Sequence, residues 1–406
     1  MAKLDANSEF ERGRALSVPV VKVPRSVKEW LCIDRAYENG NFKIEPMTGE
    51  AMYDQSYMFE DINYVNKDTA KKDSTLLEIM TLLKSLDGPF KITLANEQRD
   101  LDSFVNEIFN PINGQEYPVI EKGIGKWINQ KIDEGTRDIR KTMILTVTCR
   151  AHTLEEAEAY FATIDTTLSN IFRNLRSRIY KMSAEERMVL LSRMLRAGEE
   201  CLPPARISPD DSGWKNQILP ASIQSDTDYM VINNKQYVSV LVGTAFGQSL
   251  SEDKVIHSLS DVLFPTYITI DMQRVPKNVI HDRLENAHAN NERVIAQERT
   301  RNYNNKQFGA TTSYSLTKKK TSLEDDMDQL DENDEEGVFL GLLVLVYADS
   351  LEELTQRVDI LKQKAKGSSY ELEPYYHRQL KALNTVLPIG GRQVNHMRFL
   401  YTSSAI

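Results

Sequence analysis

Residues 145–157 read LTVTCRAHTLEEA, and residues 342–354 read LLVLVYADSLEEL. The two stretches align at a constant offset of 197 positions. In each, an extended-type run precedes a hydroxyl residue, Thr153 or Ser350, and Leu-Glu-Glu follows. A hydroxyl followed three positions later by Glu is a capping box, which satisfies two amides at the start of a helix. Each stretch therefore predicts a strand leading into a capped helix. The shared register indicates an internal duplication, with a chance match of two common units as the alternative.

Outward from these units, predicted strands alternate with predicted helices. Asn-Gly at 39–40 and Asn-Asn at 233–234 predict tight turns between strands. Apolar residues at helical spacing predict a helix over 69–86 and a long one running from 153 to 179. Further strands are predicted over 53–59, 90–94, 142–148, 229–233, 236–242, 267–272 and 338–346. The pattern is typical of an α+β (mixed α/β) fold, built from two or three ferredoxin-like strand–helix subdomains.

The order of these elements predicts four units. They are an N-terminal β-hairpin and α/β subdomain (1–135), an α/β subdomain with the long amphipathic helix (136–275), a charged helical arm with an acidic loop (276–337) and a second α/β repeat (338–406). The helix predicted over 277–306 is polar nearly all round, which favours one arm of a projecting helical hairpin. Residues 309–322 are predicted to form a flexible tip.

The net charge of −9 comes from one segment. The chain has 50 basic and 59 acidic residues, and residues 324–336 hold nine acidic and no basic side chains. The rest of the chain is therefore balanced, without the basic excess that nucleic-acid binding needs. We interpret the acidic segment as a solvated loop.

Other features indicate a cytoplasmic protein. The first 14 residues, MAKLDANSEFERGR, do not form a secretory signal. The longest apolar run, 338–348, has 11 residues, against the ~20 that a spanning helix needs. Cys32, Cys149 and Cys201 are far apart and predict neither a zinc site nor a disulfide framework.

No complete nucleotide-binding or nucleophile motif is present. The nearest approach to a P-loop is Gly123-Ile-Gly125-Lys126-Trp127, which is too short and has Trp where the magnesium-binding hydroxyl belongs. The pattern GxGxxG is absent, and no predicted strand ends in a Gly-rich turn. Residues 247–251, GQSLS, lack the second glycine of a nucleophile elbow. We predict no catalytic residue and no cofactor site in this chain.

Two candidate metal sites are also incomplete. His281, Glu285 and His288 share one helical face, but a di-iron site needs a second Glu-x-x-His from a facing helix. Residues from Asp331 onward begin like a calcium-binding loop, but Glu336 replaces the required glycine. Both are interpreted as solvated polar surface, so no metal site is predicted.

One basic patch is a candidate binding surface. Arg173, Arg176, Arg178 and Lys181 are predicted on the polar side of the long helix. The patch is either an ordinary solvated face or a site for an acidic partner or anionic lipid head groups. The second interpretation is worth about 1 kcal/mol per residue near a charged surface.

Over nearly its whole length the chain resembles the N-terminal half of a known family. Ile33, Tyr37-Glu-Asn-Gly40 and Phe42, followed by SYMFEDINY over 56–64, resemble the hairpin of the CagE/TrbE/VirB family of type IV secretion and conjugal transfer ATPases. The later Ser-Leu-Glu-Glu-Leu helix, the Leu387-Pro388 segment and the charged arm before the last strand occur in a similar order.

This resemblance implies a non-catalytic role for the chain. In that family the Leu-Pro segment leads into a RecA-like motor with the P-loop, so ATP and magnesium are expected only beyond Ile406. The chain itself is expected to dock the motor at the inner face of the cytoplasmic membrane. Its expected partners are inner-membrane channel subunits and neighbouring copies of itself, without direct nucleic-acid contact. The alternatives are a self-contained enzyme with an unrecognised active site and a DNA-handling module of a mobile element.

Overall fold

In the computed structural model of the chain, the described residues are 26–45, 51–62, 69–98, 139–196, 207, 213–246, 254–305, 313–332, 336–368 and 370–401. The strands are β1 (Ile33–Ala36), β2 (Phe42–Ile44), β3 (Met52–Phe59), β4 (Phe90–Gln98), β5 (Ile139–Arg150), β6 (Ile179–Lys181), β7 (Ile223–Ser225), β8 (Met230–Ile232), β9 (Gln236–Phe246), β10 (Thr266–Val275), β11 (Gly337–Ala348), β12 (Tyr370–Pro374) and β13 (Arg398–Tyr401).

The helices lie mostly between these strands. They are α1 (Val27–Trp30), α2 (Thr69–Ser85), α3 (Leu154–Leu175), α4 (Ala184–Arg196), α5 (Lys215–Ile218), α6 (Lys254–Ser260), α7 (Lys277–Asn304), α8 (Tyr314–Glu332), α9 (Leu351–Gly367) and α10 (Gln379–Val386). The predicted mixture of helix and strand is confirmed. No described helix is both long and apolar enough to cross a membrane.

The described strands form one antiparallel sheet. Its order is β1-β2-β3-β5-β4-β10-β11-β9-β8-β7, which is symmetric about the contact between β4 and β10. At this contact Ile92 pairs with Ile270, Lys91 with Asp271 and Thr93 with Thr269. The short strand β6 pairs with β3, and β12 pairs with β9 in the equivalent place. Strands from three of the four predicted units are thus neighbours in the sheet, while the division into units stays a prediction.

The two capped units have the same local structure. The Thr153 hydroxyl accepts from the amide of Glu156, whose carboxylate accepts from the amide of His152. The Ser350 hydroxyl accepts from Glu353, whose carboxylate accepts from Asp349. The sheet neighbours also correspond, because β5 lies between β3 and β4 as β11 lies between β9 and β10.

Side chains divide between the two faces of the sheet by the alternation of each strand. One face of β5 and the apolar side of α3 share a core that includes Leu145, Val147 and Phe161. The same face of β11 packs with α9 through residues such as Val344 and Leu361. On the opposite face a third core joins the sheet to α4, α5 and α10; it includes Ile144, Met188, Trp214, Leu345, Leu383 and Leu387.

Tight turns form where the sequence predicts them. Gly40 follows β1 at a φ of +89°, and Asn233 and Asn234 connect β8 to β9 at φ values of 52° and 55°. Positive φ values at two central residues match the right-handed twist of a hairpin.

The long helix is shorter than predicted. It ends at Leu175, where Arg176 adopts a left-handed conformation with φ 58°. Ile179 was predicted on its buried face and instead lies in β6. The apolar spacing continues past the helix end because Ile179 packs from β6 against the same core as α3.

The arm is a helical hairpin. Its acidic part was predicted to be a loop, but it is largely helical. Helix α8 covers most of the predicted flexible tip and the acidic residues as far as Glu332. Leu323 and Leu330 are buried, seven residues apart on one face of α8. Their burial against the rest of the molecule stabilises a helix that its charge alone would not.

Removing either cap should destabilise the protein by a similar amount. Thr153→Ala and Ser350→Ala each delete one side-chain acceptor, and each is expected to lower the free energy of unfolding by about 1 kcal/mol. The two losses should add in the double variant, since the sites are far apart. Urea denaturation followed by circular dichroism measures both. Thr166→Ala, on the exposed side of α3, is the control, and a loss at only one cap would contradict their equivalence.

Candidate functional site

The most elaborate polar arrangement lies on the sheet beneath residues 387–392, LPIGGR, which we call the strap. The strap follows α10 and runs across the centre of the sheet. Leu387, Ile389 and Gly390 are buried. Three charged side chains of the sheet and one of α4 hold it in place.

Lys91 is the central group. It projects from β4 and is 3% exposed. Its ammonium donates to the carbonyl oxygens of Thr385 at 2.7 Å, Gly391 at 2.6 Å and Leu387 at 3.4 Å. The three N–H donors of a lysine are thereby directed at three carbonyls. Burial lowers the pKa of Lys91 to about 8, although the nearby Asp271 carboxylate opposes this shift.

Asp54 and Arg187 form a buried ion pair beside it. Their closest atoms are 2.8 Å apart, and the two side chains are 0% and 2% exposed. Asp54 also accepts a hydrogen bond from the Gly390 amide, and Arg187 donates to the Pro388 carbonyl at 3.4 Å. Burial raises the pKa of Asp54, and the Arg187 guanidinium opposes that change. The guanidinium also lies 3.8 Å from the ring centroid of Phe42, a favourable cation–π distance.

The strap ends in a second ion pair. Arg392 contacts both carboxylate oxygens of Asp271, at 2.6 and 2.7 Å. A bidentate pair of this kind fixes orientation as well as charge. Arg392 also donates to Gln273 at 2.6 Å. The strap is therefore tied to β10 at one end and to β3, β4 and α4 in its middle.

Hydroxyl groups complete the layer. Ser56 and Thr146 lie 2.9 Å apart on β3 and β5, and Thr93 and Thr269 lie 3.1 Å apart across the centre of the sheet. Thr269 also donates to the Val386 carbonyl at 2.6 Å. These contacts give partners to polar backbone that α10 and the strap bring into the interior.

This arrangement can hold the strap, and each of its charged groups already has a hydrogen-bond or ion-pair partner within the protein. The Lys91 protons point at main-chain oxygens, and each carboxylate is paired with an arginine. Breaking such a buried pair by removing one partner costs about 3–5 kcal/mol. The chemistry is that of a structural clamp between chain segments about 300 residues apart, as the separation of Lys91 from Gly391 shows.

Most of the predicted basic patch lies beyond the end of the helix. Of the four residues only Arg173 lies in α3, while Arg176 is its C-cap, Arg178 follows it and Lys181 is in β6. All four are exposed. Arg173 donates to Asn170 at 2.9 Å, and the Lys181 ammonium is 3.8 Å from Asp165. The prediction failed on placement because it extended the helix beyond Leu175.

The predicted metal-site residues are only partly brought together. His281 and Glu285 are 3.6 Å apart, and Asp282 could offer a third ligand atom near them. His288 instead faces Glu324 of α8 at 3.4 Å. Asp331 lies in α8 rather than in a calcium-type loop. Residues 123–127, 247–251, Asn63, Tyr64 and Cys201 lie outside the described residues.

The clamp residues were not predicted from the sequence. Lys91 stands in the run Phe-Lys-Ile-Thr-Leu, where alternation suggests a solvated face for every second residue. Asp54 lies in β3, where residues 53–57 are all buried. A signal did exist in the glycine pair at 390–391, since adjacent glycines after Leu-Pro-Ile indicate close backbone approach.

Comparison with known proteins does not identify a family. No family model matches the chain, and no curated protein matches it significantly.

The titration of Lys91 gives a test of the clamp. The unfolded chain keeps this proton up to about pH 10.5, whereas the folded protein loses it near pH 8. The unfolded state therefore binds more protons between these values, and the stability contributed by this group should rise with pH across that window. In urea denaturation the stability of wild type relative to Lys91→Met should increase from pH 8 to pH 10.5. Parallel pH profiles for the two proteins would contradict the burial of a titrating Lys91.

The seating of the strap can be tested at Gly390. A Cβ there would lie 2.6 Å from Oγ1 and 2.9 Å from Cγ2 of Thr148. Gly390→Ala is expected to cost about 1–3 kcal/mol, as overpacking of a close-packed interior does. The loss should shrink in a Thr148→Ala background, which removes both atoms. Gly367→Ala, which has open space around it, is the control and should be neutral or stabilising in the same denaturation assay. Equal effects at both glycines would refute the close approach.

Proposed function

We propose that this chain is the docking and assembly region of a type IV secretion, or conjugal transfer, ATPase and does not itself hydrolyse ATP. It would lie at the inner face of the cytoplasmic membrane, bound to inner-membrane channel subunits and to neighbouring copies. The proposal rests on the resemblance to the CagE/TrbE/VirB family, and direct nucleic-acid contact forms no part of it.

The observation that carries the proposal is the strap. The resemblance implies that a RecA-like motor follows the Leu387-Pro388 segment. In this structure that segment and the glycines after it are held by Lys91, Asp54 and Arg187. A domain attached beyond a segment held at several points would be oriented by the sheet rather than swing on a loose linker. Such a clamp is what an anchoring region needs.

The strand order supports two ferredoxin-like subdomains within the proposal. In the first, the described elements run β3-α2-β4-β5-α3-β6 and the sheet neighbours are β6, β3, β5 and β4. In the second, it runs β9-α6-β10-β11-α9-β12 and the neighbours are β12, β9, β11 and β10. Both follow the β-α-β-β-α-β connection of that motif. The arm, α7 and α8, is inserted between β10 and β11 of the second.

A dominant-negative assay tests the proposed function. The chain is overproduced in donor cells that carry a conjugative plasmid encoding its own transfer system. Because it would occupy the docking sites of the whole ATPase without supplying a motor, plasmid transfer is expected to fall at least tenfold, an order-of-magnitude figure for loss of most productive sites. A channel subunit should co-purify from solubilised membranes.

The exposed basic residues supply a matched variant. Arg173→Glu with Arg178→Glu should weaken both inhibition and co-purification if this patch faces the membrane partner. Unchanged transfer with no membrane recovery would refute docking. ATP hydrolysis by the purified chain would favour a self-contained enzyme, and salt-sensitive DNA binding would favour a DNA-handling module.

A further inference from the structure

Helix α8 contains a self-complementary run of charges. Residues 318–326 read KKKTSLEDD. Three lysines precede the small residues Thr321 and Ser322, and three acidic residues follow Leu323. On a helix only part of this run shares one face, and an antiparallel copy laid against that face would bring Lys318 of each helix close to Asp325 of the other. The centre of this arrangement lies at Ser322.

The same polarity extends over the whole arm. The distal part, residues 293–320, holds seven Lys and Arg residues and one Glu. The part nearest the sheet, residues 277–292 with 321–332, holds nine acidic and two basic residues. Helix α7 has 28 residues, so the arm is about 42 Å long at 1.5 Å per residue. The arm is therefore basic at its distal end and acidic at the end nearest the sheet.

The relevant side chains lie on the outer face of α8. Leu323 and Leu330 are buried on the inner face, and Asn291 of α7 donates to the Leu316 carbonyl at 3.1 Å on the same side. Lys318 and Asp325 each lie two positions beyond one of these leucines, and are themselves seven residues apart. They are therefore on the opposite side of α8, and both are exposed.

Contacts within the arm do not account for these charges. Lys320 is paired with Glu292 of α7 and lies 3.8 Å from Glu324. In contrast, Lys318, Lys319, Asp325 and Asp328 have no ion-pair partner in the described part of the chain. All four are exposed, so their charges are available to a second molecule.

The order of the charges also opposes the helix dipole. Helix α8 has no acidic residue in its first turn and no basic residue in its last turn. Acidic residues are favourable near a helix N-terminus and basic residues near its C-terminus, whereas in α8 the lysines lie in the second turn and the acidic residues continue to the C-terminal end. A charge order that the helix dipole disfavours, with no compensating contact nearby, is typical of a surface whose role is not to stabilise the helix itself.

From these observations we infer that the outer faces of two α8 helices pair antiparallel, so that the arms of two copies of this chain associate about a two-fold axis near Ser322. Lys318 of each copy would face Asp325 of the other, with the exposed Lys319 beside this contact. The contact is isologous, since the same surface serves both copies. The inference deepens the proposed function, on which it rests for the expectation that neighbouring copies associate.

A second copy accounts for more of the surface than other partners do. An anionic lipid surface or a nucleic acid would attract the distal lysines but repel the acidic residues one heptad away. A basic partner would attract the acidic residues but repel the lysines. An antiparallel copy is complementary to both at once, and Thr321 and Ser322 at the centre allow close approach of the helices.

Charge reversal at each end, followed by mixing, tests the pairing. One variant carries Lys318→Glu and Lys319→Glu, and the other carries Asp325→Lys and Asp328→Lys. Each variant alone places like charges together at both contacts, so its dissociation constant should rise about tenfold or more. An equal mixture of the two should restore association, because both contacts of the mixed pair are complementary. Sedimentation velocity of the full chain measures this, and the wild-type association should weaken as salt is raised.

The control has the same charge change elsewhere. Lys235→Glu with Lys381→Glu alters two exposed lysines outside the arm and should leave association unchanged, while circular dichroism confirms that every variant is folded. A monomeric wild type at low salt, or a mixture that stays monomeric, would overturn the inference. So would binding to anionic vesicles that only the Lys318/Lys319 variant loses. Recovery of a channel subunit in the donor-cell assay would then still support the proposed function.

Discussion

The antiparallel contact between β4 and β10 joins the two halves of the molecule. On either side of it stand corresponding sets of strands, each with a capped helix on the same face. Lys91 and Asp271 face each other directly across this contact. The strap can reach both only because the two strands are neighbours, so its position depends on the assembly of the whole sheet.

The charges at this contact are costly to bury. Taking an ammonium or a carboxylate out of water costs several kcal/mol per ion, which is recovered only with close and complete pairing. Here the pairing is supplied by backbone carbonyls for Lys91, by Arg187 for Asp54 and by Arg392 for Asp271. Apolar residues of similar size could stabilise the interior equally well, but they would not form the hydrogen bonds that Lys91, Asp54 and Arg187 make with the strap. Directional bonds specify one position for it.

Features encoded by neighbouring residues could be predicted from the sequence, and those that depend on distant contacts could not. The capping boxes at Thr153 and Ser350 and the turn at Asn233-Asn234 follow from local chemistry. The end of α3 was missed because Arg176 adopts a conformation usually taken by glycine. The helicity of α8 was missed because its charge outweighed the heptad spacing of Leu323 and Leu330. The role of Lys91 depends on carbonyls at 385–391, which no local pattern could bring to it.

The symmetric strand order places a short strand at each end of the described sheet. β1 has four residues, of which Asp34 and Arg35 are exposed, and β7 has three. An edge strand needs a longer row of open amides and carbonyls to recruit a strand from another chain. Charged side chains on β1 and the brevity of both edges therefore disfavour growth of the sheet from one molecule to the next. In the proposed pairing of arms, contact between copies would instead use helical surfaces, where side-chain charge rather than main-chain hydrogen bonding would select the partner.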